Sequence, residues 1–240
     1  MRIEPYDVNC QMPPASHNIG RRFTLIRCLV KKGTDEYQDF LEKAKKLAGD
    51  VNPGSANASD TQRNSNTLLL DALGGILAEE GWLAFINNFY GPIASPTPFL
   101  SAHGQIDIKL SGGQLIEVRS SFPRNGVKFA VCHETYNFKV IGNYQNLYKP
   151  GEVPKDFYSS VLFETKKADL LTAETIDFTL IGGATRQMML DQGEIRDLVA
   201  EGDLTNSVTR YQTLLIKDCL DSRGFATLMK AWGYNSLQKS

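Results

Sequence analysis

The chain has 240 residues, 42% of them hydrophobic and 22% charged, with a formal net charge of −1. It is long enough to bury one large core or two small ones, and without a run of about 18 apolar residues it excludes a membrane-spanning helix. Its charge balance carries no basic excess of the kind that drives non-specific binding to nucleic acid.

The first residues, Met1-Arg2-Ile3-Glu4-Pro5, lack the apolar run of a signal peptide, so a cytoplasmic location is expected. Residues 1–34 are expected to be extended or a hairpin, with Phe23–Val30 as the strong strand. A charged amphipathic helix is predicted over Asp35–Leu47, followed by a Gly/Pro/Ser/Asn-rich loop, Asp50–Asn66. Thr67–Phe89 is the clearest helix, with Leu69, Leu73, Ile76, Leu77, Leu83 and Ile86 at helical spacing and Gly91-Pro92 as its stop. Strands are predicted at Gln105–Leu110, Leu115–Ser120, Val127–Cys132, Phe157–Phe163, Thr175–Ile181 and Thr209–Lys217, and helices at Gly183–Asp191 and Asp221–Trp232. This order predicts an α/β (α+β) fold around a mixed sheet. One domain over 1–240 is expected, with an N-terminal extension (1–66), a core (67–182) and a C-terminal elaboration (183–240).

The four cysteines (Cys10, Cys28, Cys132, Cys219) share no CxxC spacing, and the three histidines (His17, His103, His133) are scattered. Free thiols are therefore expected, and a metal site, if present, should be built from carboxylates.

The most informative segment is Gln105–Ser121, QIDIKLSGGQLIEVRSS. A three-residue loop at Ser111-Gly112-Gly113 puts Asp107 opposite Glu117. Ile106, Ile108, Leu110, Ile116 and Val118 then share one face, and Asp107, Lys109, Glu117 and Arg119 share the other. A two-residue loop would scatter charge among the isoleucines. Two carboxylates so placed, with Cβ atoms about 4.5–5.5 Å apart, repel each other. A divalent cation would turn that repulsion into attraction, because Mg²⁺ takes one or two carboxylates plus water and phosphate oxygens. The alternative is an ordinary polar face, with Lys109 and Arg119 neutralising the acids.

These residues resemble the PD-(D/E)xK nuclease superfamily, which includes many restriction enzymes. Ile106-Asp107 matches the first part of its motif, and Ile116-Glu117-Val118-Arg119-Ser120-Ser121 the second. Gly74-Gly75-Ile76-Leu77-Ala78-Glu79 is similar to its preceding helix with a further acid. The resemblance covers about residues 67–135, and arginine stands at 119 where the motif has lysine. Arginine stays protonated and cannot act as a base, so Lys109 or Lys128 could supply the missing lysine. The resemblance implies a restriction-endonuclease-like core and Mg²⁺ (or Mn²⁺) held by Asp107, Glu117 and Glu79, with Arg119 stabilising charge. It further implies hydrolysis of DNA phosphodiesters by a homodimer or higher oligomer, in restriction or anti-phage defence. Lys109, Arg124 and Lys128 are candidate phosphate contacts. The tyrosines and lysines of Asn143–Phe157 suit either nucleic-acid stacking or a packed surface loop. The alternative function is an inactive nuclease fold that binds DNA or protein.

Overall fold

The computed structural model describes residues 1–10, 20–50, 64–98, 106–133, 138–144, 153–199 and 208–237. Among the described residues, ten strands form two sheets. The larger has β1 (Arg2–Asn9), β2 (Arg22–Lys31), β8 (Thr175–Thr185), β7 (Phe157–Phe163), β5 (Leu115–Ser121), β4 (Ile108–Leu110) and β3 (Ala94–Pro96), in that spatial order. All neighbours are antiparallel except β5 and β7, so the sheet is mixed. A three-stranded sheet follows the order β6 (Lys139–Tyr144), β10 (Val208–Leu215), β9 (Glu194–Val199).

Strand alternation sorts apolar side chains onto both faces of the large sheet. On one face Ile26, Cys28 and Val30 of β2, Phe157, Val161 and Phe163 of β7, and Ile176, Phe178 and Leu180 of β8 meet three helices. These are α1 (Asp35–Asp50), α2 (Ser65–Tyr90) and α5 (Ser222–Ala231). On the other, Phe23, Leu25, Tyr158, Leu162 and Ile181 meet the small sheet, α3 (Gly126–Cys132) and α4 (Arg186–Gln192). The long helix α2 is apolar on nearly every side because it lies between the sheet and α1. Its glycines set the approach. A Cβ at Gly81 would stand 2.7 Å from the Phe178 ring, and one at Gly74 2.9 Å from Phe122.

The N-terminal segment set apart in sequence as an extension supplies two strands of the main sheet, and α1 packs along α2. Three expectations are corrected. Val127–Cys132 is helix rather than strand. Val127, Ala130 and Val131 are buried at i, i+3 and i+4, and the Val127 N–H donates to Glu164 Oε1 at 3.1 Å, capping the first turn. Gly183–Thr185 continues β8, and helix starts only at Arg186, where the Thr185 side chain caps the Met188 N–H. Two of the four expected free thiols are joined: Cys10, just after β1, is disulfide-bonded to Cys132 at the end of α3. Cys28 and Cys219 are free, and burial pushes both thiols up. Strands β3, β6 and β9 have no counterpart in the sequence expectation. Gln105, the loop residues 51–63, His17, His103, Tyr148 and Lys149 lie outside the described residues.

Candidate functional site

The β4–β5 hairpin has the register that its residues predict. Ile108 pairs with Ile116 and Lys109 with Leu115, and the turn is closed by Gly113 N–H donating to Leu110 O at 2.8 Å. Gly113 carries φ +94°, the positive angle that glycine accepts without strain. Ile108, Leu110 and Ile116 are buried. Continued one step, this register sets Asp107 against Glu117, but the two carboxylates take different partners. Asp107 sits just before β4, where the ladder with β5 stops, and its Oδ2 accepts the Val118 N–H at 2.7 Å. Glu117 is only 5% exposed. Its Oε1 lies 2.7 Å from Arg119 Nη2, and its Oε2 lies 3.2 Å from Lys155 Nζ.

Lys155 reads in sequence only as one of the lysines of a loop, and its pairing with Glu117 is what sequence reasoning missed. It falls in the Asn143–Phe157 stretch, yet it is 1% exposed. The parallel pairing of β7 on β5, with Ile116 beside Phe157, brings the segment entering β7 to the start of β5. Asp156 fixes that approach: its N–H donates to Leu115 O and its Oδ2 accepts the Leu115 N–H, each at 2.8 Å. The faint signal in sequence is a lysine two residues before a strand, FYSSVLF, that carries no charged residue.

From α2 comes Glu79. Burial first, and then the negative charges of Asp107 and Glu80, push its carboxyl up to about 8. Its neighbour Glu80 faces α1 instead, where Lys43 Nζ approaches at 2.7 Å. The hairpin and the approach to β7 thus bring Asp107, Glu117, Arg119 and Lys155 together, and Glu79 on α2 feels the charge of Asp107. Lys109, Arg124 and Lys128 are exposed, and Lys128 lies on α3 rather than on a strand.

A hard divalent ion needs only one or two carboxylates besides water and phosphate oxygens. Asp107 and Glu79 offer two carboxyl groups, and burial first, then the Asp107 charge, keep the Glu79 carboxyl protonated near neutral pH. Among the described residues, no group of three or more His, Cys, Asp or Glu side chains gathers closely enough to hold a metal. Both Glu117 oxygens face cations.

No family model matches the chain, and no solved structure matches it. An uncharacterized protein of Methanocaldococcus jannaschii is 28% identical over 174 residues, covering 67% of this chain and 60% of that protein. The chain therefore spans less than two thirds of the relative it matches. Among the described residues, no helix is long and apolar enough to cross a membrane.

Proposed function

We propose that the chain is a Mg²⁺-dependent endonuclease that hydrolyses DNA phosphodiesters, with a restriction-endonuclease-like core and a role in restriction or anti-phage defence. The observation that carries this reading is the concentration of charge at one hairpin. Glu117 is buried between two cations, Asp107 holds the Val118 N–H one position away, and Glu79 is pushed up by burial and by Asp107. A hairpin needed only for packing gains nothing from buried ions, which often stabilise no better than apolar side chains of the same volume. A buried acid pushed up beside a charged neighbour, as Glu79 is, is more typical of a reactive site.

The resemblance assigns Mg²⁺, for which Mn²⁺ could substitute, to Asp107, Glu79 and Glu117. Among the described residues these three do not gather as one group, so Asp107 and Glu79 would hold it with water and substrate oxygens. The Lewis-acid chemistry it would supply is polarisation of the scissile phosphate. Around it, this chain's own groups have separate tasks. The Val118 N–H orients the Asp107 carboxylate, and Arg119 and Lys155 orient that of Glu117. Arg119, 21% exposed in its side chain, stays charged and offsets negative charge developing on a phosphate. Cutting both strands calls for two sites, hence a homodimer or higher assembly. A cytoplasmic setting goes with that role.

One observation favours a second reading. Both Glu117 oxygens are taken by cations and no three-acid group is formed among the described residues, as suits an inactive nuclease fold that only binds DNA or protein. Plasmid DNA incubated with the protein in Mg²⁺, in Mn²⁺ and in EDTA separates the two. Cutting that needs metal and disappears in Asp107→Ala and Glu117→Gln is the outcome expected of the enzyme. Metal-indifferent DNA binding with no cutting would establish the binding module instead.

A further inference from the structure

Position 119 holds arginine where the motif that this hairpin resembles has lysine, and neither nearby lysine compensates. Lys109 and Lys128 are both exposed. Lys155 is instead sealed against the site at 1% exposure, with Nζ 3.2 Å from Glu117 Oε2. A lysine is rarely buried to this degree unless it is paired, and here its partner is the central acid of the hairpin. Its main chain is held on both sides. The Lys155 N–H donates to Tyr158 Oη at 3.3 Å, and the next residue, Asp156, binds Leu115 through both its N–H and its carboxylate. The ammonium is thus delivered to β5 by the strand pairing itself, 38 residues further along the chain than Glu117.

We infer that Lys155 takes the place of the motif lysine in this chain. It is a positioning residue: its ammonium faces Glu117 Oε2 while the Arg119 guanidinium faces Oε1, so two ion pairs hold the buried carboxylate in its charged form between them. A carboxylate has lone pairs to spare after two such contacts, so Glu117 can be held by both cations and still offer an oxygen elsewhere. The division of labour also accounts for arginine at 119, whose fork geometry suits a carboxylate or phosphate. The point charge of lysine comes from β7's approach instead. This inference rests on the nuclease reading above.

The test uses full-length protein as wild type, Glu117→Gln, Lys155→Met, Lys155→Arg and, as a surface control on α1, Lys45→Met. Plasmid cleavage in Mg²⁺ gives kcat and KM. DNA affinity in EDTA and the thermal midpoint are read alongside. Loss of a residue that orients a ligand from outside lowers activity by about 10–100-fold. Lys155→Met is therefore expected to lower kcat by that factor, with KM and the EDTA affinity unchanged within about twofold. Lys155→Arg, which keeps the charge, is expected to recover most of the loss, and a midpoint near wild type for that variant separates positioning from folding. Cleavage at the wild-type rate by Lys155→Met, beside an inactive Glu117→Gln, would overturn the role of Lys155 and leave the nuclease standing. Were Lys155→Met too unstable to assay, a folded Lys155→Arg no better than Glu117→Gln would equally overturn it, and recovery would support it. A wild-type protein that never cuts would remove the reading on which the inference rests.

Discussion

Two antiparallel hairpins lie towards opposite ends of the same sheet, and they resolve the same pattern of alternating charge in opposite ways. In β1–β2, Glu4 pairs directly across from Arg27, and Asp7 is bound by Arg22 and by the Thr24 hydroxyl at 2.7 Å. Those charges remain at the surface, with the Asp7 side chain 33% exposed. In β4–β5 the central acid is 5% exposed and its cations come from its own strand and from the approach to β7. Alternation therefore says that charge lies on one face of a hairpin, and not whether that face meets water. What settles the matter is whatever later chain is folded over it.

The sharpest way to break this comparison is to remove one acid from each hairpin. Glu117→Ala leaves two cations without their shared partner, one of them buried. It is expected to lower stability by about 3–5 kcal/mol, the usual cost of breaking a buried pair from one side. Asp7→Ala is expected to leave the urea midpoint close to wild type, because its ion pair is solvated. Equal shifts in urea denaturation of the two variants would mean that the hairpins do not differ as described.

A second test uses the opposite signs of their titrations. The Asp7 carboxyl is held down to about 2, first by the Arg22 hydrogen bond and then by Thr24. Its contribution is present above its unfolded pKa, ordinarily near 3.8, and is lost as pH falls through about 2. Glu79 is raised instead, to about 8 from an ordinary 4.5. Between those values the unfolded chain ionises while the native one does not, so stability falls as pH rises across that window. In metal-free buffer, Glu79→Gln is expected to flatten that part of the pH–stability curve and leave the acid limb unchanged. Mg²⁺ should raise the midpoint of wild type near pH 8 and not that of Asp107→Ala. An unaltered slope in Glu79→Gln would place the titration elsewhere.

The β1–β2 hairpin is also tied to α3, the element after β5, by the Cys10–Cys132 disulfide, across a separation of 122 residues. Cys10→Ser, or reduction of the wild type, is expected to cost about 2–4 kcal/mol by releasing a long loop in the unfolded chain. Denaturation with and without dithiothreitol measures it, and Cys28→Ser should show no such sensitivity to reductant. Neither this pairing nor the identity of α3 was legible in the sequence, for the same reason. Cys10 says nothing about Cys132 until β1 and α3 are brought to one face of the sheet. VKFAVC satisfies strand and helix preferences alike over six residues, and its deciding cap, Glu164, lies 37 residues beyond Val127. By contrast, the β4–β5 register was legible to the residue, because a glycine turn and four isoleucines and leucines close in sequence determine it. The site divides along the same line. Asp107, Glu117 and Arg119 come from one local hairpin, whereas Lys155 becomes visible only once β7 is known to lie parallel beside β5.

The smallest effect separates turn strain from register. Gly20 and Gly113 both hold positive φ, +82° and +94°, and neither would bring an added Cβ within 4 Å of another group. Alanine at either position is therefore expected to cost only the backbone penalty of that conformation, about 1–2 kcal/mol. Gly20 follows the span that joins β1 to β2, so strain there should lower stability and leave DNA cleavage alone. Gly113 closes the turn that sets Asp107 against Glu117, and a slip of one residue would move one of the two acids to the opposite face. Gly113→Ala is accordingly expected to lower cleavage more than its stability loss predicts, and Gly113→Asn, which tolerates positive φ better, to recover part of it. If both alanine variants lost stability alike and neither lost cleavage, the turn at 111–113 would be only a turn. The register of the site would then be held by the apolar pairs Ile108–Ile116 and Leu110 alone.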